Sequence, residues 1–277
     1  MLKLIYDDGI DTALKIRHFP AGELSCEAPE GNPVAVEWHY ESDEEIFQLY
    51  CLKRHYPSLR SLFVPYLPHA RMDRVKKDSD IFTLKYFSEL INMMEWDNVI
   101  VMDVHSNVSE ALIENISNLD VGAYIAEAGM EISRMRGYDE APFASGKLHL
   151  VFPDEGAAKR YIPMMMQEVH YSYGHKMRTW GTNEITKYEI MSSEDLAGKD
   201  VLIIDDICSK GGTIYNCAKA LKEKGVDKIY VYVTHLENNV WNGKLPDGGL
   251  IENIFTTDSI YRDIQGKGNW IRFINTI

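Results

Sequence analysis

The sequence has few cysteines, and their spacing excludes two kinds of site. The four, Cys26, Cys51, Cys208 and Cys217, contain no Cys-x-x-Cys pair. We therefore expect neither a zinc knuckle nor a disulfide framework, and a reducing cytoplasm fits this cysteine usage. Basic residues are also in deficit, with 29 Lys and Arg against 42 Asp and Glu and a net charge of −13. This balance argues against broad binding to nucleic acid or to an anionic membrane.

Long apolar runs are missing as well. No run approaches the roughly 18 residues of a membrane-spanning helix, and Met1 to Asp8 reads as a first strand rather than a signal peptide. What is present is a chain of 277 residues with 45% apolar residues. It is long enough for two domains or one large one, and apolar enough to bury a full core.

Strand and helix patterns alternate along most of the chain. Short apolar runs predict strands at residues 2–6, 33–37, 61–65, 98–104, 149–153, 201–204 and 228–233. Apolar residues at helical spacing predict helices at residues 43–54, 82–94, 108–113, 155–161 and 215–224. This alternation is typical of an α/β protein with largely parallel sheets flanked by helices.

Polar residues follow strands in both halves of the chain, which suggests two similar α/β domains. They are Arg71, Asp73, Asp103, His105, Asp154, Asp205 and Asp206. Ligands of open α/β sheets bind at the carboxyl ends of the strands. Residues 137–146 (GYDEAPFASG) read as a loop, so we place the boundary near residue 140, between domains 1–140 and 141–277.

The most informative stretch is residues 201–213, VLIIDDICSKGGT. A buried strand is followed by Asp205 and Asp206, then by a small glycine-containing loop and a helical pattern that begins at Ile214. Loop amides and a helix N-terminus can hold a phosphate, and the carboxylates can accept hydrogen bonds from sugar hydroxyls or hold a divalent cation. The plainer alternative is a strand whose aspartates cap the next helix.

Residues 201–213 resemble the phosphoribosyl-diphosphate motif shared by type I phosphoribosyltransferases and ribose-phosphate diphosphokinases. Four further segments resemble the diphosphokinases alone, in the family's order. They are residues 66–74 (YLPHARMDR), 101–105 (VMDVH), 152–161 (FPDEGAAKRY) and 175–178 (HKMR). Residues 18–23 (HFPAGE) resemble the family's adenine-contacting segment. The resemblance implies two phosphoribosyltransferase-type domains, with ATP on the first and the sugar phosphate on the second.

The same resemblance implies roles for individual residues. ATP would be held by Phe19, Glu23, Arg71, Asp73 and His105. Mg²⁺ would be bound by His105 and Asp154, the ribose hydroxyls by Asp205 and Asp206, and the 5-phosphate by Ser209, Lys210, Gly211, Gly212 and Thr213. Lys176 and Arg178, in a polar, turn-rich stretch, would stabilise the transition state. The family also implies a homodimer or larger homo-oligomer.

Two departures from the family leave the acceptor open. Ser209 and Lys210 stand where the family has Asp and Thr, and this change of charge favours a larger or more anionic group at the 5 position. The chain also stops at Ile277, before the family's usual terminal helix. Short divergent members occur in bacteriophages, and some are ADP-ribose diphosphokinases that serve NAD synthesis. Ribose 5-phosphate and ADP-ribose therefore both remain candidates, beside a catalytically silent regulatory homologue and a phosphoribosyltransferase.

Overall fold

The computed structural model describes residues 1–9, 11–138, 141–165, 169–178, 185–262 and 268–274. The chain divides into two compact units, Met1–Leu119 and Asp120–Ile277. Each unit has its own sheet and its own hydrophobic core.

The first unit is built on a mostly parallel sheet. Its strands are β1 (Leu2–Ile5), β2 (Asp11–Ala13), β3 (Lys15–His18), β4 (Leu24–Glu27), β5 (Ala35–Trp38), β6 (Ser61–Val64), β7 (Asn98–Met102) and β8 (Ile116–Leu119). Six of them form one sheet in the order β2-β1-β5-β6-β7-β8. Strands β5 to β8 are parallel, whereas β1 runs antiparallel to both of its neighbours. Strands β3 and β4 form a separate antiparallel hairpin.

The helices of this unit are α1 (Glu44–His55), α2 (Thr83–Met93) and α3 (Val108–Leu112). The core combines alternate residues of the strands, such as Val36 and Trp38, with the apolar faces of the helices, including Leu49 and Phe87. The period of two in the strands and of 3.6 in the helices brings these side chains to common faces.

The second unit contains a seven-stranded sheet. Its strands are β9 (Leu148–Phe152), β10 (Tyr171–Arg178), β11 (Ile185–Met191), β12 (Asp200–Cys208), β13 (Ile229–Leu236), β14 (Asn253–Thr256) and β15 (Ile271–Phe273). They are ordered β11-β10-β9-β12-β13-β14-β15, and all neighbours are parallel except β10 and β11. Every residue of β9 and β13 is buried, as expected for parallel strands covered on both faces.

Its helices are α4 (Gly122–Arg136), α5 (Glu155–Tyr161) and α6 (Gly212–Glu223), with short 3₁₀ turns at Ile162–Met164, Asn238–Asn242 and Gly268–Trp270. Helix α4 groups with this unit, although a boundary near residue 140 would place it in the first. Its contacts explain the grouping: the Arg136 guanidinium donates to the Asp200 carboxylate, and Arg272 donates to Glu131 at 3.0 Å.

This architecture confirms the expected α/β class, with two mainly parallel sheets flanked by helices. One prediction was wrong: residues 175–178 lie in strand β10 and not in a turn-rich stretch. They pair with β11, so their backbone polar groups are satisfied by a sheet ladder. In the described residues no helix is long and apolar enough to cross a membrane.

Candidate functional site

Three predicted carboxylates meet at the carboxyl edge of the second sheet. Strands β9 and β12 are parallel neighbours, with Ile203 opposite Val151. Strand β9 ends one residue later, at Phe152, while β12 continues to Cys208. The chain after β9 therefore carries Asp154 to the level at which β12 presents Asp205 and Asp206.

The electrostatics of Asp205 show how closely these groups influence one another. Burial, foremost, raises its pKa well above the ordinary range, and the negative charge of Asp206 adds to this effect. The negative charge of Asp154 also raises this pKa. A hydrogen bond from the Asp206 amide to Asp205 Oδ1, at 3.1 Å, has the opposite effect and lowers it. A bound cation or a hydroxyl donor would relieve this crowding of negative charge.

Asp206 has a basic partner within the unit. Its side chain is buried, and its Oδ2 lies 3.6 Å from a terminal nitrogen of Arg160 on helix α5. Lys159, by contrast, is exposed and pairs with Glu155 at 2.8 Å, one turn earlier on the same helix. Of the two basic residues at the end of α5, only Arg160 thus reaches the acidic edge.

Asp154 is the N-cap of helix α5. Its Oδ1 accepts a hydrogen bond from the Ala157 amide at 3.0 Å, and its extended backbone leads from β9 into the helix. This is a sufficient local reason for aspartate at this position, because the first amides of a helix lack partners within it. The cap also fixes the carboxylate at the sheet edge.

Tyr188 of strand β11 contacts the chain segment that leads from β9 to Asp154. Its hydroxyl donates to the Pro153 carbonyl at 2.8 Å. Burial, foremost, raises the pKa of this hydroxyl, and the charges of Asp154 and Asp205 contribute. A Cβ at Gly174 would overlap the Tyr188 hydroxyl, so the glycine leaves the space that the tyrosine fills.

The loop between β12 and α6, residues 209–211, forms the second part of the site. Gly211 is buried with φ of +71°, and a Cβ there would overlap Leu245, so both conformation and space require glycine. Helix α6 begins at Gly212, two residues before Ile214, where the helical pattern of the sequence begins. Nothing lies within 4 Å of a Cβ built at Gly212. The partial positive charge of the helix N-terminus therefore meets open space next to Thr213.

Lys176 and Arg178 belong to β10, as their pairing with Tyr188 and Ile185 of β11 shows. The register places them beyond Tyr173, the last residue of β10 that pairs with β9. They thus lie on the part of β10 that extends past the carboxyl edge of β9. Their side chains are outside the described part of the structure, so their catalytic roles remain predictions.

In the first unit, Asp73 and His105 come together. Asp73 is buried, and its two oxygens accept from the Arg74 guanidinium at 2.8 and 3.2 Å. Burial alone would raise the pKa of Asp73. The hydrogen bonds from Arg74, together with the positive charges of Arg74 and His105, outweigh burial and lower this pKa. Arg71, two residues earlier, is exposed.

Phe19 and Glu23 lie at the tip of the β3–β4 hairpin. The Phe19 amide donates to the Glu23 carbonyl at 2.9 Å, and Gly22, with φ of +88°, donates back to the Phe19 carbonyl. The Phe19 ring is 57% exposed. Next to the tip, where His18 pairs with Leu24, His18 Nε2 lies 2.7 Å from Glu44 of α1.

No group of three or more His, Cys, Asp or Glu side chains is placed to hold a metal ion within the described residues. The predicted ligands His105 and Asp154 belong to different units.

Comparison with known proteins shows to which proteins this chain is similar. A family model described as a phosphoribosyl transferase domain matches residues 158–247. A ribose-phosphate pyrophosphokinase of Sulfurisphaera tokodaii is 28% identical over 264 residues, which cover 90% of this chain and 86% of the relative. One from Pyrococcus abyssi is 28% identical over 233 residues, covering 80% of this chain and 75% of the relative.

The chain is thus similar to ribose-phosphate pyrophosphokinases over most of its length. It spans 53% of the longer ribose-phosphate pyrophosphokinase 3 of Oryza sativa, to which it is 27% identical over 79% of its own length. Among solved structures, the phosphoribosylpyrophosphate synthetase of Mycobacterium smegmatis superimposes with a TM-score of 0.73 at 18% identity. This superposition covers 96% of this chain and 87% of the other, and it supports the fold.

Two residues at the second site, Arg160 and Tyr188, were given no role in the sequence analysis. The family-like pattern of residues 152–161 includes the arginine at 160, so a signal for Arg160 was present. No local pattern indicates Tyr188, because its importance depends on the space left by Gly174 on the neighbouring strand.

Proposed function

We propose that the protein transfers the β,γ-diphosphoryl group of ATP to the 1-hydroxyl of a ribose that carries a phosphate group at position 5. AMP is the leaving group, and attack occurs at the β-phosphorus. The observation that carries this proposal is the pairing, at one sheet edge, of crowded carboxylates with a glycine-containing loop and a helix N-terminus. The hydroxyls of a sugar phosphate can donate to the carboxylates, and its phosphate can bind at the loop and the helix N-terminus. The names of the relatives supply the reaction type.

Asp205 and Asp206 are the proposed ribose ligands. The raised pKa of Asp205 reflects burial together with neighbouring negative charge. Hydrogen bonds from two adjacent ribose hydroxyls would stabilise the ionised carboxylates, because such bonds favour the charged form. Arg160 would orient the Asp206 carboxylate through their 3.6 Å contact.

The 5-phosphate is assigned to Ser209, Lys210, Gly211, Gly212 and Thr213. The open space at Gly212 gives an anion access to the backbone amides at the start of α6. The Lys210 side chain is exposed and so can add a positive charge at this position.

ATP is assigned to the first unit. Arg71 is exposed and could hold phosphate oxygens, while Asp73 orients the neighbouring Arg74 guanidinium through a two-point contact. The exposed Phe19 ring provides a stacking surface for adenine. Glu23 and His105 complete the proposed set.

Mg²⁺ is the proposed metal, with Asp154 and His105 as ligands. The oxygen donor of Asp154 suits Mg²⁺, which commonly binds through one or two carboxylates together with substrate phosphates. When bound, the ion would neutralise charge on the transferring phosphates. Lys176 and Arg178 are proposed to stabilise the negative charge that develops on these phosphates in the transition state. No side chain becomes covalently modified.

The acceptor is proposed to be ribose 5-phosphate or ADP-ribose. Both present the same 1-hydroxyl, ribose diol and 5-phosphate, but ADP-ribose carries a second phosphate. Lys210, which replaces a family threonine, favours the more anionic acceptor. The Lys210→Thr variant provides a matched test, since it restores the family residue without removing a buried contact.

The test is AMP release from ATP and Mg²⁺ with each acceptor at equal concentration. We expect AMP with at least one of them, and a larger loss with ADP-ribose than with ribose 5-phosphate in Lys210→Thr if ADP-ribose is the acceptor. Absence of AMP with every acceptor would reject the enzyme and favour a silent regulatory homologue. A phosphoribosyltransferase would also form no AMP here, but it would release free pyrophosphate when given phosphoribosyl diphosphate and a nucleobase.

A further inference from the structure

The segment that follows β13 packs against the proposed phosphate loop. We call residues 237–245 the brace. It starts beside the end of β12, where the Glu237 amide donates to the Cys208 carbonyl at 2.8 Å. It then forms the 3₁₀ turn Asn238–Asn242, which is closed by the Gly243 amide donating to the Val240 carbonyl at 3.0 Å.

A side-chain hydrogen bond links the brace to the loop. Asn239 Nδ2 donates to Ser209 Oγ at 3.2 Å. The Oδ1 of the same amide accepts from Asn242 Nδ2 at 3.0 Å. Because both ends of the Asn239 amide are engaged, its orientation is fixed by the network. The brace therefore holds the first residue of the loop from outside.

Two steric contacts hold the rest of the loop. A Cβ at Gly243 would overlap the Lys210 carbonyl oxygen. Gly243 has φ of −99°, which any residue adopts, so space rather than conformation requires glycine there. Leu245 packs over Gly211 in the same way. The brace thus contacts residues 209, 210 and 211 in turn.

We propose that Asn239 is a positioning residue that presets the loop for the acceptor's phosphate group, acting through Ser209 without touching substrate. This inference rests on the proposed function, because it takes the loop as the phosphate site. A loop held in its binding conformation loses less entropy when the ligand binds. The phosphate is remote from the reacting 1-hydroxyl, so the effect should fall mainly on the acceptor's KM and not on kcat.

The kinetic experiment compares Asn239→Ala and Gly243→Ala with a matched control. Asn253→Ala is that control, because Asn253 Nδ2 also donates to a partner in this unit, the Asn269 carbonyl at 2.7 Å, but not to the loop. We expect the acceptor KM to rise roughly five- to tenfold in Asn239→Ala, as for loss of one hydrogen bond. The ATP KM and kcat should stay within about twofold, and the control should match the wild type.

Hydrogen exchange of the amides of residues 209–213, measured without substrates, gives a readout that does not depend on turnover. We expect faster exchange in Asn239→Ala and Gly243→Ala and unchanged exchange in Asn253→Ala. If Gly243→Ala fails to fold, Asn239→Ala decides the question alone.

The outcomes separate the two proposals. Unchanged hydrogen exchange of the loop amides in Asn239→Ala would show that the brace does not hold the loop. Faster exchange with an unchanged acceptor KM would disprove the positioning role of Asn239. In both cases, AMP release by the wild type would still support the proposed function. Absence of AMP in the wild type would reject that function and with it the kinetic role. Hydrogen exchange of the amides of residues 209–213 would then decide whether the brace holds the loop.

Discussion

The two units present their candidate ligand-binding residues in opposite ways. In the second unit, Asp205 and Asp206 lie within a central strand, and the loop after them is held by hydrogen bonds and packing. In the first unit, Phe19 lies on an exposed hairpin tip and Arg71 on an exposed part of the loop that follows β6.

Buried and exposed ligand-binding residues differ in what they cost the folded protein. A buried, crowded acidic edge is costly for folding but is already in position for its ligand, whereas exposed residues cost little until a ligand orders them. We therefore expect substitutions in the second unit to change stability and activity together. Substitutions at the hairpin tip should change ligand affinity alone.

The largest effect is expected for Asp205→Asn. The change keeps the shape of the side chain but removes a charge that burial and the neighbouring aspartates disfavour. Turnover should fall at least about 100-fold, because each hydrogen bond to a charged group contributes about 1.5–3 kcal/mol. The melting temperature should rise, since the crowding is relieved. A lower melting temperature measured by calorimetry would contradict this account of the acidic edge.

Gly174→Ala should separate packing from chemistry in the second unit. A Cβ there would overlap the Tyr188 hydroxyl and lie 2.6 Å from the Pro153 carbonyl oxygen. We expect a loss of about 2–3 kcal/mol in unfolding free energy, in the range for overpacked sites, measured by urea denaturation. Gly212→Ala serves as the stability control, because nothing lies within 4 Å of its added Cβ. Equal stability of the two variants would disprove the steric role of Gly174.

Acid should weaken the second unit through His149. Its side chain is buried on β9, with Nε2 2.8 Å from Ser172 Oγ. Burial, foremost, lowers its pKa from 6.5 to about 4, and the positive charge of Lys199 contributes. The unfolded chain thus takes up a proton first as the pH falls from 6.5 towards 4, and stability falls through that window.

The expected loss is about 2 kcal/mol between pH 7 and pH 5, from about 1.4 kcal/mol per pKa unit. Urea unfolding at the two pH values measures it. The matched variant is His149→Gln, which retains an amide donor for Ser172 but cannot titrate. An equal pH dependence in the variant and the wild type would assign the effect to other groups.

The smallest effect is expected at the hairpin tip. Phe19→Ala should raise the ATP KM about tenfold, since stacking of a base on an aromatic ring contributes about 1–3 kcal/mol. Stability should not change, because the ring is 57% exposed. Phe47→Ala is the matched control, as this phenylalanine of α1 is 58% exposed and has no assigned ligand. Equal ATP KM values for the two variants would remove Phe19 from the adenine site.

Much of the central sheet of each unit could be predicted from the sequence, because continuous apolar runs give a strong signal. Helix α5 has the bounds that were predicted, 155–161. Helix α4 was missed because its buried face includes small residues, Ala128 and Gly129, which weaken the apolar periodicity. Gly129 is needed there because a Cβ would overlap the Phe143 ring.

The carboxylates of the second site were found because they come directly after apolar runs that predict strands, although Asp205 and Asp206 lie inside β12 itself. What holds them could not be found in this way. Tyr188 acts from the neighbouring strand, in space that Gly174 leaves open. Asn239 donates to Ser209 from a loop that is distant in sequence. The short strands β2, β8, β14 and β15 were also missed, because three to four residues give too short a pattern to distinguish from a loop.

The most direct test of the central claim is ³¹P NMR of one reaction containing the protein, ATP, Mg²⁺ and a 5-phosphorylated ribose. The account predicts that AMP and a ribose 1-diphosphate accumulate in equal amounts, and that Asp205→Asn forms neither at a comparable rate. ATP that stays intact, or that yields ADP or free pyrophosphate instead, would contradict it.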